Sequence, residues 1–398
     1  MVACRPVAIP WQLSPAMVRP ASIYIFHPES AVLLLGGKGE SDEVIPSAEM
    51  FGISNFTFPE MARHGHAVFI WRGNLVTCGG RDQDASISLT CLVLPPAGEA
   101  WLPAIVSNTT GRREAAQVVK LLDGVFLLGT TSTSNETGDL LTSEFLPETK
   151  STWQEGPTLP TAAVGGCAVA LSDHRFIIAG FFGIREFDAA VGGPSNNDGW
   201  LPTARWPSLK EQRSNAACAS IGQIVVVAGG SKNHEFIDVT EIIDKQTRTV
   251  RQGPRMVERR SMFSLVGVGL GASRKLVALG GSLGERGDGV EEFLPALESW
   301  HLQPVTLGAK RTSYGATSLQ PAMACEDDLP QTDHGYVHCL ESYRPVGTKC
   351  TIKCYDLQGY RLKNNTNNYV ICGWDSAWIT SGQCGECTLI FLYLIVFL

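Results

Sequence analysis

The sequence predicts an all-β fold in which a repeated four-stranded sheet is arranged around an axis as a β-propeller. Two observations lead to this prediction. An apolar run that ends in glycine recurs at a nearly fixed interval, and an Arg, a Glu and a Trp keep step with it. A period near fifty residues is typical of propellers and solenoid arrays. The 398 residues include 41 Gly and 22 Pro, which favours short strands joined by turns.

The glycine-ended runs mark the second strand of each copy. They are LLLGG ending at Gly37, LVTCGG at Gly80, FLLGT at Thr130, FIIAGF at Phe181, VVVAGG at Gly230 and LVALGG at Gly281, at intervals of 43, 50, 51, 49 and 51 residues. A strand that is apolar at consecutive positions has to be buried on both faces. Blades stacked around an axis provide that environment and hide the sheet edges.

Three further positions recur with the same period. An Arg precedes the first strand (Arg19, Arg63, Arg113, Arg213, Arg260 and Arg311), a Glu lies on the third strand (Glu49, Glu144, Glu241 and Glu291), and Trp101, Trp153 and Trp300 mark the fourth, with Val250 at that position in the fifth copy. A Glu that recurs once per copy is better explained by a structural role in each blade than by acid–base catalysis. We therefore expect each Glu to bind an Arg or a backbone N–H between strands.

This pattern resembles the kelch repeat over about residues 11–319, and the resemblance implies a β-propeller. Some copies depart from it: Gly129-Thr130 and Gly180-Phe181 replace the glycine pair, an insertion precedes Trp206, and the second copy lacks the Glu. Residues 11–20 and 311–319 look like single strands at the two ends. The prediction is six blades, with one terminal strand closing the ring; a seven-bladed or truncated array is the alternative.

Seven of the twelve cysteines lie after residue 324, a density that predicts a disulfide scaffold made in an oxidising compartment. Residues 325–384 resemble a sushi (complement control) module through HGYVHC, VGTKC, GYRL and Trp378. Six cysteines allow fifteen pairings. The resemblance implies Cys325–Cys372 and Cys354–Cys384, leaving Cys339–Cys350. A zinc site at Cys350/Cys354 and Cys384/Cys387 is the disfavoured alternative, and Cys387 has no assigned partner.

The compartment is predicted to be extracellular or the cell surface. Four glycosylation sequons, at Asn55, Asn108, Asn135 and Asn364, fall in predicted turns, as glycan acceptors require. The N-terminus shows no signal peptide and resembles a blade's last strand, which suggests that the chain begins inside a longer protein. The apolar tail 388–398 is shorter than a spanning helix of about 20 residues. It is interpreted as a truncated transmembrane helix or a spurious tail, so a membrane partner is expected only if it is a real anchor.

The same sequence disfavours several classes of function. The net charge of −7 argues against a nucleic-acid partner. The run AVLLLGGKGES at 31–41 lacks the spacing of a phosphate-binding loop. A copper site is disfavoured because Tyr24 and Tyr314 occupy first-strand positions of the repeat. His66 also lies in a first strand, and Cys167 and Cys218, at matching first-strand positions, are expected to be buried small residues rather than a redox pair. No cofactor or catalytic group is predicted.

The leading functional hypothesis is a binding or adhesion module that recognises a protein or glycan through the propeller loops and the sushi module. A galactose-oxidase-like copper enzyme and an intracellular kelch adaptor are the alternatives. Arg286, Gly287 and Asp288 form an Arg-Gly-Asp tripeptide that would bind an integrin if exposed, although Gly and Asp are also ordinary turn residues.

Overall fold

A computed structural model describes residues 31–319 and 335–386 with internal gaps. The gaps are 40, 42, 52–61, 85, 96–99, 104–105, 112, 130–140, 161–164, 196, 270–273, 282–286, 314, 340–348, 355–359, 363–368, 373–377 and 381–383. The predicted apolar tail at 388–398, Cys387 and the strand-like segment at 11–20 lie outside the described residues.

The strands between residues 31 and 319 are short. They are β1 (Ala31–Leu35), β2 (Ala48–Phe51), β3 (Ala67–Trp71), β4 (Asn74–Cys78), β5 (Cys91–Leu94), β6 (Leu102–Pro103), β7 (Gln117–Leu121), β8 (Gly124–Leu128), β9 (Ser143–Pro147), β10 (Gln154–Glu155), β11 (Cys167–Ser172), β12 (Arg175–Gly180), β13 (Gly183–Asp188), β14 (Ala217–Ile221), β15 (Ile224–Ala228), β16 (Ser231–Lys232), β17 (Glu235–Phe236), β18 (Thr240–Asp244), β19 (Val250–Gln252), β20 (Ser264–Val268), β21 (Lys275–Leu279), β22 (Gly289–Leu294), β23 (Ser299–Thr306) and β24 (Gly315–Leu319).

These strands form antiparallel sheets of three or four strands, as an all-β propeller requires. The sheets are β24-β1-β2, β3-β4-β5-β6, β7-β8-β9-β10, β11-β12-β13, β14-β15-β18-β19 and β20-β21-β22-β23, with a small hairpin β16-β17. We number them as the first to the sixth sheet. Their first strands touch in the cyclic order β24, β3, β7, β11, β14, β20 and back to β24. The predicted all-β propeller is therefore confirmed, although two of these sheets have three described strands instead of four.

The ring closes where the two ends of the repeat array meet. Strand β24 pairs antiparallel with β1, with Leu319 opposite Ala31 and Gly315 opposite Leu35. The first strand of the first sheet thus comes from the end of the array, and Arg311 precedes it. Arg19, predicted for that role, lies outside the described residues. Pairing the two ends hides the edge strands that an open array would expose.

The second strands are buried on both faces. Val32 to Leu35, Val225 to Ala228 and Leu276 to Leu279 have no exposed surface. Neighbouring sheets supply the cover: between the third and fourth sheets, the rings of Phe126 and Phe176 lie 5.3 Å apart. Sandwiching between blades therefore explains the unbroken apolar runs.

The glycine pairs are required by the way each second strand ends. Gly229 and Gly230 have φ of 60° and 100°, a region that side chains disfavour. A Cβ on Gly229 would lie 2.5 Å from the carbonyl oxygen of Arg260 in the next blade, and one on Gly230 would lie 2.7 Å from that of Ser214. The pair therefore lets the chain turn sharply while neighbouring backbone packs against it.

The fourth sheet ends in an insertion instead of a fourth strand. Helix α1 (Ala189–Gly192) follows β13 and is capped by Asp188, whose carboxylate accepts the backbone N–H of Ala190 at 3.0 Å. Two 3₁₀ turns follow, Asn197–Gly199 and Thr203–Arg205. Trp200 makes a single bridge to Phe187 on β13, so the inserted segment covers that edge of the sheet.

The C-terminal strands form two further sheets. They are β25 (Gly335–His338), β26 (Lys349–Cys354), β27 (Tyr360–Leu362), β28 (Tyr369–Cys372), β29 (Trp378–Thr380) and β30 (Cys384–Glu386), paired as β25-β26-β28-β29 and β27-β30. Cys339 and Cys350 form a disulfide, the pair that the sushi resemblance implies. Cys325 lies outside the described residues, and the Cys325–Cys372 and Cys354–Cys384 pairings stay predictions.

Candidate binding face at the glycine-pair end

In four sheets a buried Arg ties the glycine exit to the third strand. In the third sheet, Arg113 donates to the carbonyl oxygens of Gly129 at 3.3 Å and Thr142 at 3.1 Å, and to the carboxylate of Glu144 at 2.8 Å. Equivalent bonds are made by Arg213, Arg260 and Arg311. The predicted Arg–Glu contact is therefore confirmed in four sheets.

The same glutamates also hold the loop that leads into the first strand of their own sheet. Glu144 accepts the backbone N–H of Thr110 at 2.6 Å, Glu241 that of Lys210 at 2.6 Å, and Glu291 that of Val257 at 2.7 Å. Glu49 accepts the N–H of Gly308 at 2.7 Å. These carboxylates bind the scaffold on both sides, so their repetition has the architectural cause that we expected.

Two sheets depart from this pattern. In the second, Leu92 replaces the Glu, and Arg63 bonds to the carbonyl oxygen of Thr90 at 3.1 Å and to its hydroxyl at 2.6 Å. In the fourth, Arg185 lies opposite Ile178, the position that carries Glu in other sheets. Ala163 occupies the position of the recurring Arg in this copy, so the fourth sheet lacks both partners of the Arg–Glu pair.

A ring of left-handed residues surrounds the mouth of the central channel at this end. One comes from each sheet: Gly65, Ala115, Gly165, Asn215, Met262 and Ser313, with φ between 50° and 67°. The N–H of Ala115 donates to the carbonyl of Gly65 at 2.7 Å, and that of Asn215 to Gly165 at 2.5 Å. Similar bonds run from Gly65 to Ser313 and from Met262 to Asn215. Neighbouring blades are therefore joined by backbone bonds where loops and channel meet.

Sequence reasoning missed this ring, although a signal exists. Each member lies two positions after the recurring Arg, or after Ala163 in the fourth copy. Glycine adopts this conformation freely, whereas a non-Gly residue there costs about 1–2 kcal/mol. Ala115 and Met262 hold it because backbone bonds across the blade interface determine the local path.

The first strands line a channel cavity of about 300 Å³, and a disulfide crosses its wall. Cys167 on β11 and Cys218 on β14 are bonded, with their Cα atoms 5.7 Å apart. The expectation that these were only buried small residues was wrong, because neighbouring first strands bring matching positions together. A further disulfide joins Cys78 and Cys91, directly opposite each other on β4 and β5.

His66 lies beside this cavity but offers it no free atom. The side chain is buried, and neither ring nitrogen has accessible surface. Burial lowers the pKa of His66 to about 3; nearby Arg63 and His64 add to the effect, and a hydrogen bond with the Arg63 backbone opposes it. Among the described residues no three His, Cys, Asp or Glu side chains come together as a metal site. Tyr24 and Tyr314, considered for copper, lie outside the described residues.

The outer surface of this end carries apolar side chains between charged ones. Phe181, Val257 and Met262 are 65%, 54% and 44% exposed. The same end carries ion pairs, with Lys232 2.8 Å from Glu211 and Arg81 2.8 Å from Glu114. Exposed apolar residues within a polar rim are typical of a protein-binding surface.

The modification and adhesion predictions have different outcomes. Asn108 is exposed, and its side-chain oxygen accepts the N–H of Cys91 at 3.3 Å. Asn55, Asn135 and Asn364 lie outside the described residues, as does Arg286. Gly287 is buried and Asp288 is half-buried, with the Asp288 carbonyl oxygen accepting the N–H of Leu307 at 2.8 Å. This burial disfavours presentation of an Arg-Gly-Asp loop to an integrin.

Comparison with known families supports the propeller assignment. Residues 212–257 match the Kelch motif. This chain is an all-β propeller with a Kelch motif. The matched segment is the fifth copy, which contains Arg213, Gly230 and Glu241. No curated protein matches the chain. Within the part of the chain that the structure describes, no helix is long and apolar enough to cross a membrane.

Proposed function

We propose that this propeller is a protein-binding module and that its binding face is the glycine-pair end. The observation that carries the proposal is the group of exposed apolar side chains at that end, Phe181, Val257 and Met262, held on loops that the scaffold anchors. Kelch-type propellers generally bind proteins, which favours a protein over a glycan as the partner. The channel nearby is narrow and lined mainly by small residues, so the outer loops offer the larger contact surface.

The loops suit recognition because their bases are rigid while their sequences differ. Arg–Glu pairs anchor the loops of four sheets, and backbone bonds between neighbouring blades hold the ring residues beside them. The loops after the glycine pairs read KGESDE, RDQDAS and SKNHEF in the first, second and fifth copies. A rigid scaffold with variable loops lowers the entropy cost of binding and leaves specificity to the loop residues.

The proposal includes six blades, a C-terminal sushi module and an oxidising compartment outside the cell. Supporting it are the cyclic order of six first strands, the Cys339–Cys350 disulfide and two further disulfides in the propeller. Structural disulfides are rare in the cytosol. Asn108, on an exposed loop, is accessible as a glycan acceptor.

The binding face can be tested with paired variants of the immobilised protein. Phe181→Ser with Val257→Ser removes two apolar side chains from the face, while Leu297→Ser removes one at the opposite end, where Leu297 is 68% exposed. We expect the wild type and Leu297→Ser to retain a protein from a cell-surface extract that the double variant does not retain. Retention of the same proteins by all three variants would contradict the proposed face.

The compartment can be tested by counting free thiols in the denatured, non-reduced protein produced through a secretory pathway. We expect the six cysteines of the three described disulfides to resist alkylation, and Asn108→Gln to lower the mass by one glycan. Alkylation of all twelve cysteines would instead favour the intracellular adaptor.

A further inference from the structure

A second cavity lies at the end opposite the glycine pairs, between the fourth and fifth sheets. Its volume is about 390 Å³. Hairpin turns of both sheets border it, and its lining includes Arg175, Lys245, Arg248, Gln223, Gln246 and Trp206. The cavity therefore has three cationic side chains, two amides and one aromatic ring. No part of the candidate binding face contributes to it.

The one carboxylate in the lining is already occupied. Glu186 accepts hydrogen bonds from Arg205 at 2.8 Å and from the indole N–H of Trp206 at 2.8 Å. Arg175 approaches its other oxygen at 3.4 Å. Two guanidinium groups thus share one carboxylate. Asp188 also lies 4.0 Å from Arg175, so this part of the site is close to neutral.

The two cations on the other wall are not neutralised. The side chains of Lys245 and Arg248 make no hydrogen bond or ion pair with the described residues. The nearest carboxylate along the chain, Asp244, accepts the backbone N–H groups of Gln246 at 2.9 Å and Thr247 at 2.7 Å and so stabilises the turn itself. The turn therefore presents positive charge to the cavity.

Partial burial makes this charge costly. It lowers the pKa of Lys245, and the neighbouring Arg274 lowers it further; no carboxylate raises it. The chain as a whole carries a net charge of −7, so two unpaired cations beside a cavity are a local reversal of its overall charge. An anion in the cavity would offset the desolvation and the repulsion together.

We propose that this cavity binds a phosphate or sulfate group carried on a small polar molecule. The unpaired cations Lys245 and Arg248 would hold the oxyanion, and the amides of Gln223 and Gln246 would donate hydrogen bonds to the remainder. A cavity of this volume exceeds what a bare oxyanion fills and lies within the range of small-molecule sites. This site is separate from the proposed protein-binding face and does not depend on it.

The test is calorimetric titration of the whole protein at low ionic strength with glucose 6-phosphate, glucose 6-sulfate and neutral glucose. We expect one or both charged sugars to bind and glucose not to bind; the two charged sugars distinguish phosphate from sulfate. Lys245→Ala with Arg248→Ala should weaken binding about tenfold or more, since two charge-assisted contacts are lost. The matched control is Lys232→Ala with Arg255→Ala, which removes the same charge from exposed sites elsewhere.

The proposal would be overturned by no binding of either charged sugar by the wild type, or by equal weakening in both double variants, which would indicate diffuse attraction. Thermal unfolding of each variant provides the folding control. If the double variant is unfolded, Lys245→Gln keeps the side-chain stem and removes one charge; unchanged affinity in that variant would also overturn the proposal.

Discussion

Acidification should destabilise this propeller through His66. The imidazole is buried, and burial lowers its pKa to about 3 from an ordinary value of 6.5. Between these two pH values the unfolded chain binds a proton that the folded protein excludes. Stability therefore falls as the pH drops below 6.5 and continues to fall until pH 3.

The expected loss follows from the size of the pKa shift. A pH of 5 lies about 1.5 units below the pKa of His66 in the unfolded chain, so the ring is protonated there. In the folded protein the ring remains neutral at this pH. At 1.36 kcal/mol per unit, the free energy of unfolding should be about 2 kcal/mol lower than at neutral pH from this residue alone.

The assay is urea unfolding at pH 7.5 and pH 5 of the wild type and of two variants. His66→Leu removes the titrating ring from the apolar site and should abolish about 2 kcal/mol of the pH-dependent loss. His234→Gln replaces an exposed His and should retain the wild-type loss. If wild type and His66→Leu lose the same free energy between the two pH values, the reasoning about His66 is refuted.

Three further predictions concern stability, each measured by the same unfolding assay. Glu241→Gln leaves Arg213 buried without its anion and should lower the free energy of unfolding by about 3–5 kcal/mol. Glu298→Gln, in an exposed pair, should lower it by less than about 1 kcal/mol, and equal losses would contradict the architectural role of Glu241. Ala115→Gly relieves a φ of 52° and should stabilise the protein by up to about 1 kcal/mol, so a loss would show that the site is unstrained. Cys167→Ser removes a crosslink between positions 51 residues apart and should lower the free energy of unfolding by about 4 kcal/mol under oxidising conditions, but not in reductant. An equal loss under both conditions would exclude the disulfide.

The repeat could be found in the sequence because the same physical requirement returns in every blade. The second strands are covered on both faces, the glycine exits meet neighbouring backbone, and in four sheets a buried Arg pairs with a Glu. Because these requirements are the same from blade to blade, the same residue type recurs at a fixed interval in the sequence. The periodic pattern therefore predicted the all-β propeller, its closure by a terminal strand and the architectural use of Glu144, Glu241 and Glu291.

The unrepeated features were harder to predict. That Arg185 occupies the position of the recurring Glu can be recognised only from the strand register, which places it opposite Ile178. The cavity proposed for an oxyanion is formed by turns of two sheets, and its charge depends on which carboxylates are already engaged. Neither is visible from local sequence, since both depend on side chains far apart along the chain.

The sequence alone thus determined the type of fold, the repeat and the residues that build each blade, because those are local and periodic demands. Only the tertiary structure decided that Cys167 is bonded to Cys218, that one left-handed residue per sheet surrounds the channel, and that Lys245 and Arg248 face a cavity without a partner. The physical reason is adjacency. Packing of neighbouring blades brings together positions about fifty residues apart, such as Cys167 and Cys218, and their side chains interact only after that packing has formed.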